Sequence, residues 1–447
     1  MNSAAELWFD WSLDTWPVFM AVLVALSTSL LGGVFLLRRA ALLGDAVSHS
    51  VLPGIAAGLL LSGLVHPTGG EEAFGVSRNM LYVLGGALVA GILSTTMIEA
   101  LSRYSRIKPD TALGAVFPAF FAVGVILIEV AASGAHLDAD CVFYGSLELI
   151  AEFHQTVPTL VATVFVAVFL LVALKEILLS SFDPGLARTL GLRVRLVDNA
   201  LIVLLTATVV CAFEAVGAIL VIAFLIIPPA TAYLLADRFH RVLLLSALLG
   251  VTSAVLGCWL TILLGSAGFE TARAPSMAVV AGLLFLLVFL LAPERGVLAR
   301  YRRQRALSRR ILDENLLGAI YRLHPTQTAG ASADPVAVSL DQTADILRYP
   351  LPELRHSLAR GVKRGEVVDH GDGRVSLTAE GTSRIERILR AHRLWESYMI
   401  QELGARPDHV HDTADVIEHY LQPSLVEELD STLRRPTKDP HGKEIPK

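Results

Sequence analysis

Two groups of side chains in this sequence have the types and the spacing to hold a divalent metal ion. The first is Asp45 and His49, within GDAVSHSVLPG at residues 44–54, an otherwise nearly all apolar stretch. On a helix, positions i and i+4 lie on one face about one turn apart, so a carboxylate oxygen and an imidazole nitrogen would meet the same ion. That pair suits a borderline cation such as Zn2+, Mn2+ or Fe2+. Ser48 and Ser50 add polarity, and Pro53 with Gly54 marks a break at which backbone carbonyls are freed to line a path. The same two groups could instead satisfy each other as a structural pair between helices. The second group lies in HVHDTADVIEHYL, where His411, Asp415, Glu418 and His419 fall at i, i+4, i+7 and i+8. A helix there puts all four in a stripe about 100° wide, with Val416, Ile417, Tyr420 and Leu421 opposite. Two imidazoles interleaved with two carboxylates suit a transition metal. The plainer alternative is a solvated polar face.

The elements that must position the first group are membrane spans. Of 447 residues 53% are hydrophobic and 18% charged, and the mean hydropathy is +0.57. That is too apolar for a soluble globular protein of this length. The long apolar runs lie in residues 1–294, while 295–447 read as a polar, charged domain. A hydrocarbon core takes roughly 20 helical residues to cross. Apolar windows of that size recur at 16–37, 43–63, 80–101, 112–133, 157–179, 196–213, 215–236, 242–265 and 275–293. The sequence thus predicts a polytopic helix bundle of about eight or nine spans, with the boundary between Cys211 and Gly217 left open. Glu99, Glu214, Lys175 and Glu176 lie near span ends, where they can snorkel, meet solvent or pair. Cys141, Cys211 and Cys258 are too scattered for a disulfide framework or a metal site. The stretch MNSAAELWFDWSLDTWP lacks the basic n-region of a signal peptide, so the first run reads as a retained span.

Basic residues follow alternate spans: Arg38 and Arg39, then Arg103, Arg106 and Lys108, then Arg188, Arg193 and Arg195, then Arg238 and Arg241. The intervening loops, HPTGGEEAFGVSRN and SGAHLDADCVFYGSLELIAEFH, are acidic or nearly neutral. Cytoplasmic loops carry the basic excess, so the N-terminus is expected outside a plasma membrane and everything after Pro293 in the cytoplasm. The run ERGVLARYRRQRALSRR agrees; residues 295–310 read as a basic juxtamembrane linker held by anionic lipid headgroups rather than by nucleic acid.

Beyond it, ILDENLLGAIYRLH reads as a helix, followed by a loose linker from about His324 to Val338. SLDQTADILRY and PLPELRHSLARGVKRG read as two helices, and EVVDHGDGRVSLT as two strands around a GDG turn. Helix, turn, helix and wing is a winged-helix order. Arg355, His356, Arg360, Lys363 and Arg364 give the second helix a basic side that could meet DNA phosphates or simply be solvated.

GDAVSHSVLPGIAAG resembles the hallmark of the permease subunits of ABC-type manganese, zinc and iron uptake systems, a GD-x-x-SH-x-x-LPG segment on an early membrane helix. KPDTALGAVFPAFFAVGVILI, DPGLARTLGLRVRLVD and EAVGAILVIAFLIIPPATAYLL extend the likeness over residues 16–294. The resemblance implies that Asp45 and His49 line the metal's route. It also implies that Asp183, Pro184, Gly185, Leu186, Arg188 and Gly191 belong to a coupling helix that docks on an ATP-binding subunit. The segment fits that role on its own terms, being short, amphipathic and opened by Asp183–Pro184 as N-cap and first-turn proline. No G-x-x-x-x-G-K-[ST] occurs in the chain, so hydrolysis must come from another polypeptide. The chain is therefore not expected to be an enzyme itself. The family pattern adds a second permease subunit and an extracytoplasmic metal-binding protein.

Residues 311–446 resemble metalloregulators of the diphtheria-toxin-repressor type, down to the closing RRPTKDPHGKEIP. The resemblance implies that His392, Asp415, Glu418 and His419 match metal ligands or near-ligand positions, and that His392, Glu396 and His411 match an ancillary site. Asn315 and Gly318 stand where the first helix of those regulators supplies a ligand. A carboxylate at Asp415, where iron-type members carry a cysteine, leans toward Mn2+. The expectation is thus a permease for divalent metal with a cytoplasmic winged-helix, metal-sensing domain at 311–447. The alternatives are a membrane-tethered, metal-dependent transcription regulator, or a permease for a metal chelate, whose wide path would not need Asp45 and His49.

Overall fold

Helix α1 (Thr15–Leu37) is the axis of the first part of the chain, with 72% of its apolar window buried. It packs against α6 (Phe153–Phe182), α8 (Val194–Leu235) and α9 (Phe239–Ser266). Around them stand α2 (Ala41–Ser50), α3 (Leu52–Val65), α4 (Arg78–Tyr104), α5 (Pro109–Ala131) and α10 (Arg273–Leu291). A small hairpin, β1 (Glu72–Ala73) with β2 (Val76–Ser77), precedes α4, and the short α7 (Pro184–Thr189) joins α6 to α8. The computed structural model describes residues 14–38, 40–65, 72–73, 76–131, 147–150, 152–269, 271–323, 337–406 and 410–446. The N-terminal stretch, Arg39, Cys141, most of the acidic loops and the linker at 324–336 lie outside the described residues, as do the side chains of Asp45, Ser48 and Glu214.

Among the described residues seven helices are long and apolar enough to cross a bilayer: α1, α4, α5, α6, the first part of α8, α9 and α10. Two shorter apolar helices, Leu52–Ser62 and Ile219–Leu235, account for the other expected windows. The window at 43–63, expected as one span, is instead split at Val51 into α2 and α3. The cause is Pro53, which has no N–H to offer the carbonyl of His49 four residues back. The boundary left open near Cys211 falls at Gly217, whose φ of 74° interrupts α8. Only a residue without a Cβ takes that conformation readily.

Lipid removes the hydrophobic drive between helices, so close packing of small residues must hold them. A Cβ on Gly54 would lie 2.1 Å from the Gly86 carbonyl oxygen, so α3 and α4 cross in near backbone contact. A Cβ on Gly44 would lie 1.7 Å from Cδ2 of Leu225. The glycine before Asp45 is what lets α2 lie against α8.

Residues Met1–Ala299 and Arg300–Lys447 form two separate compact units. Most of α11 (Val297–Leu323) belongs to the second, so the basic run expected as a linker is the first half of a helix. Then follow β3 (Val338–Ser339), α12 (Leu340–Leu347), α13 (Leu351–Lys363), β4 (Val367–Asp369) and β5 (Arg374–Leu377). The strands form an antiparallel sheet in the order β3-β5-β4, one strand more than expected. Gly371 and Gly373 take φ of 80° and 77° in the GDG turn of the wing. Leu316, Leu317 and Ile320 of α11 and Leu354 of α13 are fully buried in this unit's main core, each contributing about 1.5–3 kcal/mol. A smaller core of Leu394, Leu429, Leu433 and Ile445 joins α14 (Ala379–Gln401), α16 (Pro423–Thr432) and the C-terminal segment. Between α14 and α16 lies α15 (His411–Ile417).

Candidate metal centres and coupling segment

His49 sits near the end of α2 and is half-buried. Its ring lies edge-on to Phe121 of α5, with centroids 5.4 Å apart, and 5.8 Å from Phe117. Ser50 beside it is buried and shares a 2.8 Å hydrogen bond with Ser94 of α4, pinning the end of α2. Gly124 of α5 crosses at the α2–α3 joint, where a Cβ would lie 2.8 Å from the Pro53 nitrogen. Asp45 lies one turn before His49 on the same helix. The imidazole is thus framed by aromatic rings at the end of α2, where the backbone breaks before α3.

Asp183 caps α7, accepting from the Leu186 N–H at 2.9 Å, and Pro184 takes the first turn. Gly191 closes it with φ of 83°, the left-handed conformation that suits glycine after a helix end. Ala187 is fully buried while Leu186 and Leu190 are 47% and 64% exposed, so this helix keeps two leucines on its open side. Arg38 holds the segment's flanks through Asp198, Ser180 and Ser181. Beside it opens a cavity of about 1060 Å³ lined by Arg103, Arg188, Arg193 and Arg195 with Glu99 and Asp198.

In the second unit α14 and α15 bring His392, Glu396, His411, Asp415 and Glu418 together. His392 is buried; its Nδ1 lies 2.7 Å from Glu418 and 3.5 Å from Asp415, and its Nε2 3.2 Å from Glu396. Glu396, itself buried, also pairs with His411. Among the described residues three groups of possible ligand atoms lie within 4.8 Å of one another: His392, Glu396 and His411; His392, Asp415 and Glu418; and Glu396, Asp439 and His441. All donors are oxygen or imidazole nitrogen with no thiolate, a set that fits Mn2+, Fe2+ or Zn2+. Burial would lower the His392 imidazole, but hydrogen bonds to Glu396 and Glu418 outweigh it and raise it to about 9. Burial would likewise raise Glu396, yet the His392 and His411 rings hold its carboxyl below the usual range.

The structure departs from the sequence reading at several points. The helix expected over HVHDTADVIEHYL stops at Ile417, and its supposed apolar side is open, with Val416 and Tyr420 at 60% and 56% exposure. Of the polar stripe only its C-terminal end turns inward, His419 reaching buried Glu314, while His411 and Asp415 stay largely exposed and His411 pairs with buried Glu396. His419 stands apart from the three ligand groups, its Nδ1 2.7 Å from Glu314 on α11. Asp439 and His441 were missed; the D-x-H spacing in the closing segment was the available signal.

The basic side expected on α13 is partly spent within the unit. Arg360 and Arg364 each reach the buried carboxylate of Asp313 at 2.6 Å, joined by Ser357 at 2.6 Å. Burial would raise Asp313, but hydrogen bonds from Arg360, Ser357 and Arg364 hold it below the usual carboxylate range. Arg355, His356 and Lys363 remain exposed.

Comparison with known proteins finds a match to the ABC 3 transport family over residues 14–292. The metal binding and dimerisation domain of iron dependent repressors matches residues 378–447. A manganese transport system membrane protein, MntC of Listeria monocytogenes, is 35% identical over 64% of this chain and 92% of its own length. A zinc transport system membrane protein, TroD of Treponema pallidum, is 34% identical over 82% of this chain and 96% of its own. Among solved structures, PsaBC from Streptococcus pneumoniae in complex with Fab aligns with a TM-score of 0.54 and 31% identity, over 65% of this chain and 94% of that one.

Proposed function

We propose, given that the chain belongs to the ABC 3 transport family, that it is the membrane permease subunit of an ATP-driven importer of divalent transition metal ions, Mn2+ first with Zn2+ and Fe2+ behind it. The observation that carries this is His49, an imidazole set on a broken helix inside an apolar bundle with Asp45 one turn away. An ion crossing lipid must exchange its water shell for fixed donors. Asp45 and His49 supply a charged oxygen and a nitrogen for that exchange. The names of the manganese and zinc relatives support this cargo class.

The chain carries no phosphate-binding loop of its own, so ATP hydrolysis belongs to a separate subunit. The residues of α7, with Leu186 and Leu190 outward, are its docking element, and the arginines beside it mark the cytoplasmic face. On that orientation the N-terminus lies outside the plasma membrane and the second unit in the cytoplasm. A second permease subunit and an extracytoplasmic metal-binding protein complete the assembly. The first half of α11, rich in arginine, lies against anionic lipid.

The second unit senses the imported ion through His392, Glu396, His411, Asp415, Glu418 and His419, joined by Asp439 and His441. A tethered transcription regulator has less support, because Arg360 and Arg364 are held by Asp313. The test is the metal content of metal-starved bacteria lacking their own importers and given this chain with its ATPase and binding protein. Manganese should accumulate; no gain of manganese, zinc or iron over cells without the chain would remove the reading.

A further inference from the structure

His419 is 4% exposed and has carboxylates at both ring nitrogens, in unequal geometry. Its Nδ1 lies 2.7 Å from Oε2 of Glu314, a full hydrogen bond, while its Nε2 lies 3.7 Å from Oε1 of Glu418, too far for one. The other oxygen of Glu314 is taken by two guanidinium groups, Arg310 at 2.9 Å and Arg384 at 3.0 Å. Glu314 is itself 2% exposed, so it has no room for a further partner. A carboxylate held by two arginines only accepts, so the hydrogen in its bond to His419 must sit on Nδ1. In the neutral ring that leaves the lone pair on Nε2, on the side of Glu418, whose Oε2 already meets His392.

We infer that Glu314 is a positioning residue for the sensor site: it fixes His419 in the Nδ1–H tautomer and presents Nε2 as a ligand beside His392, Asp415 and Glu418. The inference rests on the metal-sensing reading of the second unit. It accounts for His419, which stands apart from the three ligand groups. It also gives the first helix of this unit a part in the site although Asn315 and Gly318 carry no charged donor. Glu314 acts from one step outside the ion, as the partners of metal-bound histidines commonly do. Arg384 further joins Glu314 to Glu366, and Arg364 joins Glu366 to Asp313 beneath α13. The ring that meets the ion is therefore tied to the winged-helix core.

The test uses the full chain in detergent with Asp45→Ala and His49→Ala, so that only the second unit binds the probe, Co2+, followed by its visible absorption at fixed pH. Glu314→Gln keeps the shape and loses the charge; it should weaken binding by about 10- to 100-fold. Arg310→Ala removes an exposed partner of the same carboxylate and should leave affinity within about threefold, where a simple loss of packing would weaken both variants alike. Imidazole 15N NMR of the metal-free chain, with His419→Gln to assign the resonance, reads the tautomer: Nδ1–H before substitution and a mixture after it. Unchanged Co2+ affinity in Glu314→Gln, or an Nε2–H tautomer in the unsubstituted chain, would overturn the inference. If Glu314→Gln does not fold, the tautomer of the unsubstituted chain decides alone. No Co2+ binding by the parent chain would instead remove the sensing reading beneath it.

Discussion

Raising the pH should tighten metal binding in the second unit, because the bound ion must displace a proton held by His392. That ring is buried between Glu396 and Glu418 and is raised to about 9. At pH 7 it lies about two units below that value, so only about 1% is neutral and apparent affinity is lowered roughly 100-fold, or about 2.7 kcal/mol. Between pH 7 and pH 8 affinity should rise about tenfold, levelling off above about pH 9. The sign for the metal-free fold is opposite. A raised histidine contributes stability that is fully present below about pH 6.5 and lost as pH rises through about 9. The assay is calorimetric titration of Mn2+ into the chain carrying Asp45→Ala and His49→Ala, in two buffers of different protonation enthalpy. About one proton should leave per ion at pH 7 and only about a quarter of one at pH 9.5. A flat affinity from pH 6.5 to 8.5 with no proton released would refute the assignment of His392 as a proton-blocked ligand.

Asp313→Ala strips Arg360, Arg364 and Ser357 of their shared carboxylate. Breaking a buried pair costs about 3–5 kcal/mol; both arginines are over a third exposed, so about 2–3 kcal/mol is expected, read as a lower unfolding midpoint of the second unit. An unchanged midpoint would show that the cluster is not stabilising. In α7, Leu186→Asp with Leu190→Asp changes only outward side chains; membrane abundance should hold while uptake and co-purification of the ATPase are lost. Asp183→Ala removes the cap of that helix, at about 1 kcal/mol, and should weaken coupling less. Removal of residues 305–447 should leave uptake in place but change its dependence on internal manganese; an identical dependence would exclude a sensing role.

Much of the bundle was legible because apolar run length is set by bilayer thickness, and because Pro and Gly mark backbone breaks. Gly217 lies in the one stretch where the spans could not be separated. The cap and proline of α7 and the GDG turn of the wing are local chemistry, readable from a few residues. What could not be read depends on partners distant in sequence. Arg360 and Arg364 look like a free basic face until Asp313 is placed beneath them. Asp313 did leave a trace, since Leu316, Leu317 and Ile320 follow it at i+3, i+4 and i+7, on the buried stripe of α11. His419, just past α15, is buried although it looked like part of a solvated face, because a hydrogen-bonded imidazole can take a core position that an isolated one cannot. Asp439 and His441 lie in a segment without helical or strand period, and only the fold brings them to Glu396.

The central claim is that a carboxylate and an imidazole on α2 carry a divalent metal through the membrane. It is tested most directly by initial rates of radioactive Mn2+ uptake into cells expressing the complete importer with Asp45→Ala, His49→Ala or both, at matched membrane abundance. Each single substitution should cut the rate by at least tenfold and the double should abolish it, an expectation drawn from the loss of a coordinating group in a dry site. Uptake that persists at the unsubstituted rate with both side chains gone would contradict the account.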